Sequence, residues 1–141
     1  MIEPGTTLQF SDKAYLSIKG DLIAKGTHNS PIVFEAHKNR WKGILVFDGS
    51  LSKLNNVIIQ NIKSLSDGIL SLTGGITFYN TTLSLQNVDI NNSITEDTLN
   101  IVKSKFPLDN VSISNSASDA IDIDFSSGKI KNSSIYNASG D

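Results

Sequence analysis

Four segments of the chain repeat one form, aliphatic-x-Asn-Val-x-Ile-x-Asn, and no other feature narrows the choice of fold as far. They are Leu54-Asn55-Asn56-Val57-Ile58-Ile59-Gln60-Asn61, Leu85-Gln86-Asn87-Val88-Asp89-Ile90-Asn91-Asn92, Leu108-Asp109-Asn110-Val111-Ser112-Ile113-Ser114-Asn115 and Ile130-Lys131-Asn132-Ser133-Ser134-Ile135-Tyr136-Asn137, with Ser133 where the others have Val. The step from Asn87 to Asn110 is 23, from Asn110 to Asn132 it is 22, and from Asn56 to Asn87 it is 31, which reads as one coil plus an insertion. A period of about 22 to 23 residues is too short for paired-helix repeats and suits one turn of a three-faced β-helix or a leucine-rich repeat. The leucine-rich form requires a sustained Leu-x-x-Leu-x-Leu-x-x-Asn pattern and usually a helical return. Here the return segments, Asp97-Thr98-Leu99-Asn100-Ile101 and Asp119-Ala120-Ile121-Asp122-Ile123-Asp124-Phe125, alternate apolar and polar residues as strands do. The expected fold is therefore all-β: a right-handed single-stranded parallel β-helix, or solenoid, of about 22 to 23 residues per regular coil.

In such a stack, like side chains sit above like. Val88 and Ile90, Val111 and Ile113, and Ser133 and Ile135 face inward in successive coils, and Ile59, Ile90, Ile113 and Ile135 form one apolar column at intervals of about 4.8 Å. β-branched residues suit these positions because they pack on a pleated surface with little loss of rotamer freedom. Asn56, Asn87, Asn110 and Asn132 fall at one bend, and Asn61, Asn92, Asn115 and Asn137 at the next. Each series is expected to form a ladder in which the amides bond turn backbone and the equivalent Asn of the next coil.

The N-terminal third follows the same logic with a looser period. Short strands are expected at Leu8 to Phe10, Tyr15 to Ile18, Leu22 to Ala24, Pro31 to Glu35 and Trp41 to Phe47, separated by turn residues such as Pro4-Gly5, Gly20-Asp21 and Asp48-Gly49. Gly43, Gly68, Asp97 and Asp119 are expected to begin comparable strands. The chain thus reads as one β-helix domain over residues 1–141, with an N-terminal cap and first coils in 1–50 and regular coils in 51–141. The long Asn56-to-Asn87 spacing is assigned to an insertion near 74–82 that bulges from the wall or, equally, marks a local change in coil cross-section. The repeat is still in phase at Gly140-Asp141, so the chain is expected to be a fragment of a longer protein, and its C-terminal coil is a candidate for end-to-end self-association.

Composition removes several functions. With 12 basic and 14 acidic residues and a net charge of -2, there is no positive excess to condense on nucleic acid. The absence of cysteine removes disulfides and thiolate chemistry. No apolar run of membrane-spanning length occurs, so no membrane insertion is expected.

The opening motifs, Glu3-Pro4-Gly5-Thr6-Thr7-Leu8-Gln9-Phe10, Leu16-Ser17-Ile18-Lys19-Gly20-Asp21-Leu22-Ile23-Ala24-Lys25-Gly26-Thr27, Pro31-Ile32-Val33-Phe34 and Trp41-Lys42-Gly43-Ile44, resemble those of bacterial right-handed parallel β-helix repeat proteins. The stretch from Asp97 to Asp141 is similar to β-helix segments found beside CotH-type kinase domains. The resemblance implies an extracellular or cell-surface location and carries no catalytic motif onto these positions, and a fold alone licenses no activity.

Asp122 and Asp124 are expected on one outward face, with Asn100 and Val102 one coil below and Asp97 and Asp119 stacked at the preceding bend. These oxygens suit a hard cation such as Ca²⁺, although solvated capping aspartates explain the same pattern, and no other cofactor is indicated. Trp41 and Tyr79 are candidate carbohydrate contacts, a wall role for Trp41 being the alternative. No arginine lies near the acidic face, since Arg40 is the sole one in the chain. The favoured function is a non-catalytic structural or display scaffold of a secreted or cell-surface protein. A carbohydrate-binding module with a glycan partner, and a fragment of a polysaccharide lyase or glycoside hydrolase, are the alternatives.

Overall fold

The computed structural model describes residues 1–68 and 70–140. Its strands are β1 (Thr7–Phe10), β2 (Leu16–Lys19), β3 (Ile23–Lys25), β4 (Ile32–Ala36), β5 (Ile44–Phe47), β6 (Ser52–Ile62), β7 (Ser66–Asp67), β8 (Leu70–Ser71), β9 (Gly74–Tyr79), β10 (Leu83–Ser93), β11 (Asp97–Val102), β12 (Lys105–Ser116), β13 (Asp119–Asp124), β14 (Ser127–Lys131) and β15 (Ser134–Ala138). One sheet runs β1-β4-β6-β10-β12-β14, with β3 also on β6 and β15 also on β12; a second runs β2-β5-β9-β11-β13. All pairings in these two sheets are parallel, and among the described residues only β7 and β8 pair antiparallel. Among the described residues there is no helix, and so none long and apolar enough to cross a membrane. The chain is all-β, with parallel strands in stacked sheets, a solenoid-like arrangement.

The corners explain the asparagines more fully than their amides do. Asn56, Asn87, Asn110 and Asn132 have φ of 52, 53, 54 and 51°, and Asn61, Asn92, Asn115 and Asn137 have φ of 62, 64, 56 and 56°. Asn tolerates this left-handed conformation better than other residues bearing a Cβ. One such residue breaks the strand alternation: in β12, Leu108 points in, Asp109 and Asn110 lie outside, and Val111 points in again. The long strands β6, β10 and β12 thus bend twice and line two walls. A third corner, not seen in the repeat, is formed by Asp48, Asn80, Lys103 and Phe125, with φ of 53, 52, 49 and 48°.

The ladders form in part. Asn110 Nδ2 donates to Asn87 Oδ1 at 2.7 Å, Asn92 to Asn61 at 2.7 Å and Asn137 to Asn115 at 2.8 Å. Asn132 instead donates to Asp109 at 2.8 Å and Asn56 to its neighbour Asn55 at 2.7 Å. The first column is therefore one of conformation at all four places and of Asn–Asn bonding at only one pair. Arg40 caps the second, donating to the Asn92 carbonyl at 2.7 Å and to Asn92 Oδ1 at 2.8 Å.

Inside, the register aligns Phe34, Ile59, Ile90, Ile113 and Ile135 in one file and Ala24, Leu54, Leu85, Leu108 and Ile130 in another. The second sheet contributes Ile44, Ile76, Leu99 and Ile121, then Val46, Phe78, Ile101 and Ile123. Each fully buried Ile or Leu contributes about 1.5–3 kcal/mol relative to exposure. Burial fades along the stack, and Ile135 in the last turn is 53 % exposed.

One expectation fails. Gly74–Tyr79 is no insertion but β9, at the centre of the second sheet, with Ile76 and Phe78 inward and paired on both sides. The extra described residues, 64–68 and 70–72, carry the β7–β8 pair, while Lys63 still donates to the Trp41 carbonyl and the Thr73 carbonyl still accepts from the Asp97 N–H in the wall. Gly68, expected to begin a wall strand, lies in this excursion. Gly43 is in line with Gly75 instead, and a Cβ on Gly43 would lie 1.9 Å from the Gly75 carbonyl oxygen at a φ of +79°. Two glycines let the backbones approach there, a constraint that hydrophobic periodicity does not report.

Candidate functional site

Alternation along the second sheet places one set of side chains in the core and the other on an outer face. Across its strands the outward positions form two rows. The first is Ser17, Leu45, Thr77, Asn100 and Asp122; the second is Lys19, Phe47, Tyr79, Val102 and Asp124. Gly74, Asp97 and Asp119 align beside them. The face is apolar and aromatic toward the first turns and acidic toward the last.

At the apolar end is a cavity of about 380 Å³ lined by Ser17, Leu45, Phe47, Leu72, Thr77 and Tyr79. Leu72 comes from the excursion before β9, so the insertion forms one flank. Tyr79 is 38 % exposed. Lys103 Nζ stands 5.5 Å from its ring centroid and donates to its hydroxyl at 3.3 Å, which fixes the ring in place.

Beneath this cavity polar groups are left unsatisfied. Thr77 is only 5 % exposed, and among the described residues neither its Oγ1 nor Asn100 Oδ1, one strand along the same row, has a hydrogen-bond partner. A buried polar atom without a partner costs about 1–3 kcal/mol. The Gly74 backbone packs against them: a Cβ there would lie 2.4 Å from Thr77 Oγ1 and 2.9 Å from Asn100 Cβ, so only glycine fits.

At the acidic end the expected pairings hold in register, Asn100 beside Asp122, Val102 beside Asp124 and Asp97 beside Asp119. Asp97 is buried, Asp119 and Asp122 half-buried and Asp124 exposed. Burial raises the Asp122 carboxyl above its ordinary value, the like charges of Asp124, Asp97 and Asp119 push the same way, and the Ile123 N–H opposes them. Among the described residues no group of three or more His, Asp or Glu side chains is arranged to hold a metal ion. The Ca²⁺ reading therefore gains no support. Asp122 and Asp124 are two residues apart on one strand, a rise of roughly 6.6 Å, whereas Ca²⁺ draws its oxygens to about 2.3–2.6 Å.

Trp41 is not a surface contact. It is fully buried, its ring stacks on Phe10 with centroids 4.1 Å apart, and its Nε1 donates to the Gln60 carbonyl at 2.9 Å. The wide first turns need a large side chain to fill them, and Trp41 does so. Tyr79 stood out in the sequence, whereas Leu45, Phe47, Leu72 and Thr77 around it did not. Alternation in Ile44-Leu45-Val46-Phe47 carried a signal, because burying Ile44 and Val46 turns Leu45 and Phe47 outward. Nothing comparable announced Leu72, which reaches the face through an irregular excursion.

A second cavity, of about 290 Å³, follows the Asn56, Asn87 and Asn110 corner, with His28 and Asp89 in its lining. Burial raises the Asp89 carboxyl above its ordinary value. Comparison with protein-family models, with curated proteins and with solved structures finds no match to this chain.

Proposed function

We propose that the chain is a right-handed single-stranded parallel β-helix of 22 to 23 residues per regular coil, acting as a non-catalytic display scaffold of a secreted or cell-surface protein. The observation that carries this reading is the unbroken register of both sheets. Every wall strand of the middle turns is paired on both sides, so outward side chains stand in straight rows on a closed apolar core. Such a wall presents groups at fixed spacing without needing to move. The sole arginine, Arg40, is held at the Asn92 corner and leaves the acidic end without a guanidinium. The resemblance of the opening motifs to bacterial β-helix repeat proteins supports the extracellular placement.

Two measurements test this reading. A panel of neutral and acidic polysaccharides, incubated with the protein with and without Ca²⁺, should release neither reducing ends nor unsaturated ends; release of either would replace the scaffold with a hydrolase or lyase. Limited proteolysis should cut first after Lys63, where the excursion begins. Early cleavage inside β6, β10 or β12 would show that the wall is not rigid.

A further inference from the structure

We propose that two copies of this chain join through their last turns in a closed two-fold dimer, with β15 meeting β15 and the acidic β13 of each copy meeting the basic β14 of the other. This adds a partner and does not depend on the display role. The last turn invites one by its exposed apolar surface. Ile123, Phe125, Ile130, Ile135 and Tyr136 are exposed, whereas Leu108 and Ile113, which hold the places of Ile130 and Ile135 one turn earlier, are buried. Among the described residues β13, β14 and β15 each pair along one edge only, with β11 or β12. Three strand edges therefore stand open together, a template for another chain.

Strand direction and charge select the arrangement. A two-fold axis across the stack reverses the sense in which the partner's last turn runs, so every strand of one copy meets an antiparallel strand of the other. Corners of positive φ at Phe125 and Asn132 divide the turn into β13, β14 and β15. The axis passes through one of the three, which then meets itself, and exchanges the other two. β13 meeting itself would set Asp122 and Asp124 against their own copies, where the charges of Asp124, Asp97 and Asp119 already crowd Asp122 within one chain. β14 meeting itself would do the same with Lys129 and Lys131. β15 carries no charged residue from Ser134 to Ala138. The axis through β15 therefore opposes no like charges, brings Ile135 and Tyr136 together with their counterparts, and lays Asp122 and Asp124 against Lys129 and Lys131.

Head-to-tail stacking is less well matched. The first turns are wider, with pairing steps of 26 and 28 residues against 22 in the last. Ile2 already donates its N–H to the Ile23 carbonyl along β3, the strand on which β14 would land. The register would also bring Lys131 beside Lys25. At dilutions where the chain is single, the last turn is exposed as described above, and substitutions at Phe125 or Ile135 act on the fold alone.

Sedimentation velocity of the whole chain over a wide range of concentrations should show single chains converting to a dimer and to nothing larger. Masses that keep rising past two chains would mean head-to-tail stacking, and a single-chain mass throughout would mean no association; either overturns the proposal. Lys129→Glu with Lys131→Glu makes both strands acidic, and Asp122→Lys with Asp124→Lys makes both basic. Each double variant should lose self-affinity by at least about tenfold, equivalent to about 1.4 kcal/mol, while an equimolar mixture of the two should associate again. Folded variants that stay apart when mixed would also overturn it. If either variant does not fold, the unmodified chain decides. Carbodiimide treatment of mixed light and isotope-labelled chains should join Lys129 or Lys131 of one copy to Asp122 or Asp124 of the other, and the absence of such cross-links between copies would sink the dimer.

Discussion

The first turns and the last turns of the stack solve the same packing problem in different ways. In the first, pairing connects residues 26 and 28 positions apart, as in Thr7 with Val33 and Leu16 with Ile44. In the last, the step falls to 23 and 22, as in Leu85 with Leu108 and Leu108 with Ile130. The wide turns are filled by aromatic rings, Phe10 lying between Trp41 at 4.1 Å and Phe34 at 6.5 Å, nearly parallel to both. The narrow turns are filled by aliphatic files and closed at every corner by one residue of positive φ. A repeat is legible only where the corner is always built the same way.

The aromatic filling is the most sensitive part of this contrast. Trp41→Ala should lower the unfolding free energy by about 3–5 kcal/mol, read by urea denaturation. A loss of less than about 1 kcal/mol would show that the wide turns close without their rings. Within the narrow turns, Ile113→Ala should cost about 2–5 kcal/mol, and Ile135→Ala, at a site already 53 % exposed, less than half as much. Equal losses would mean that the last turn is as well covered as the middle ones.

The corners allow a finer separation. Asn110→Ala loses both the bond to Asn87 and the tolerance for a left-handed backbone, and should cost about 2–3 kcal/mol. Asn110→Gly keeps the conformation and should cost only about 1 kcal/mol. If the two variants were equally stable, the amide rung would govern the corner and the dihedral would be secondary. Phe125 provides the converse test. It holds a φ of 48° while 87 % exposed, so Phe125→Asn should raise stability by about 1 kcal/mol, seen as a higher melting temperature.

The smallest effect lies on the acidic face. The Asp122 carboxyl is raised above 3.8, so the folded chain holds that proton to higher pH than the unfolded chain does. Stability from this group is therefore lost as pH rises from about 3.8 through the folded value, and the penalty is complete above it. Asp122→Asn should accordingly raise the melting temperature at neutral pH and change little well below 3.8. A variant less stable than the parent at neutral pH would show that the carboxylate is held by favourable contacts.

These contrasts separate what could be read along the chain from what required the folded molecule. The file of Ile59, Ile90, Ile113 and Ile135 was legible because a nearly constant period repeats the same inward positions. So was the alignment of Asp97 with Asp119 and Asn100 with Asp122. The corner of Asp48, Asn80, Lys103 and Phe125 was invisible, because four different residues adopt one conformation there and composition carries no trace of it. The insertion was misplaced for a related reason: Gly74-Gly75 resembles a turn, and only its close approach to Gly43 makes it wall.

What the sequence determined by itself was an all-β repeat with parallel stacking, because apolar side chains at a constant interval can be buried together only when successive turns lie in register. What only the tertiary structure decided was which outward residues meet. Tyr79 gains Leu72 from the excursion just before its own strand, Thr77 Oγ1 and Asn100 Oδ1 find no hydrogen-bond partner among the described residues, and Trp41 disappears into the core. Such neighbours depend on how individual loops close in space, and hydrophobic periodicity constrains only the side chains that face inward.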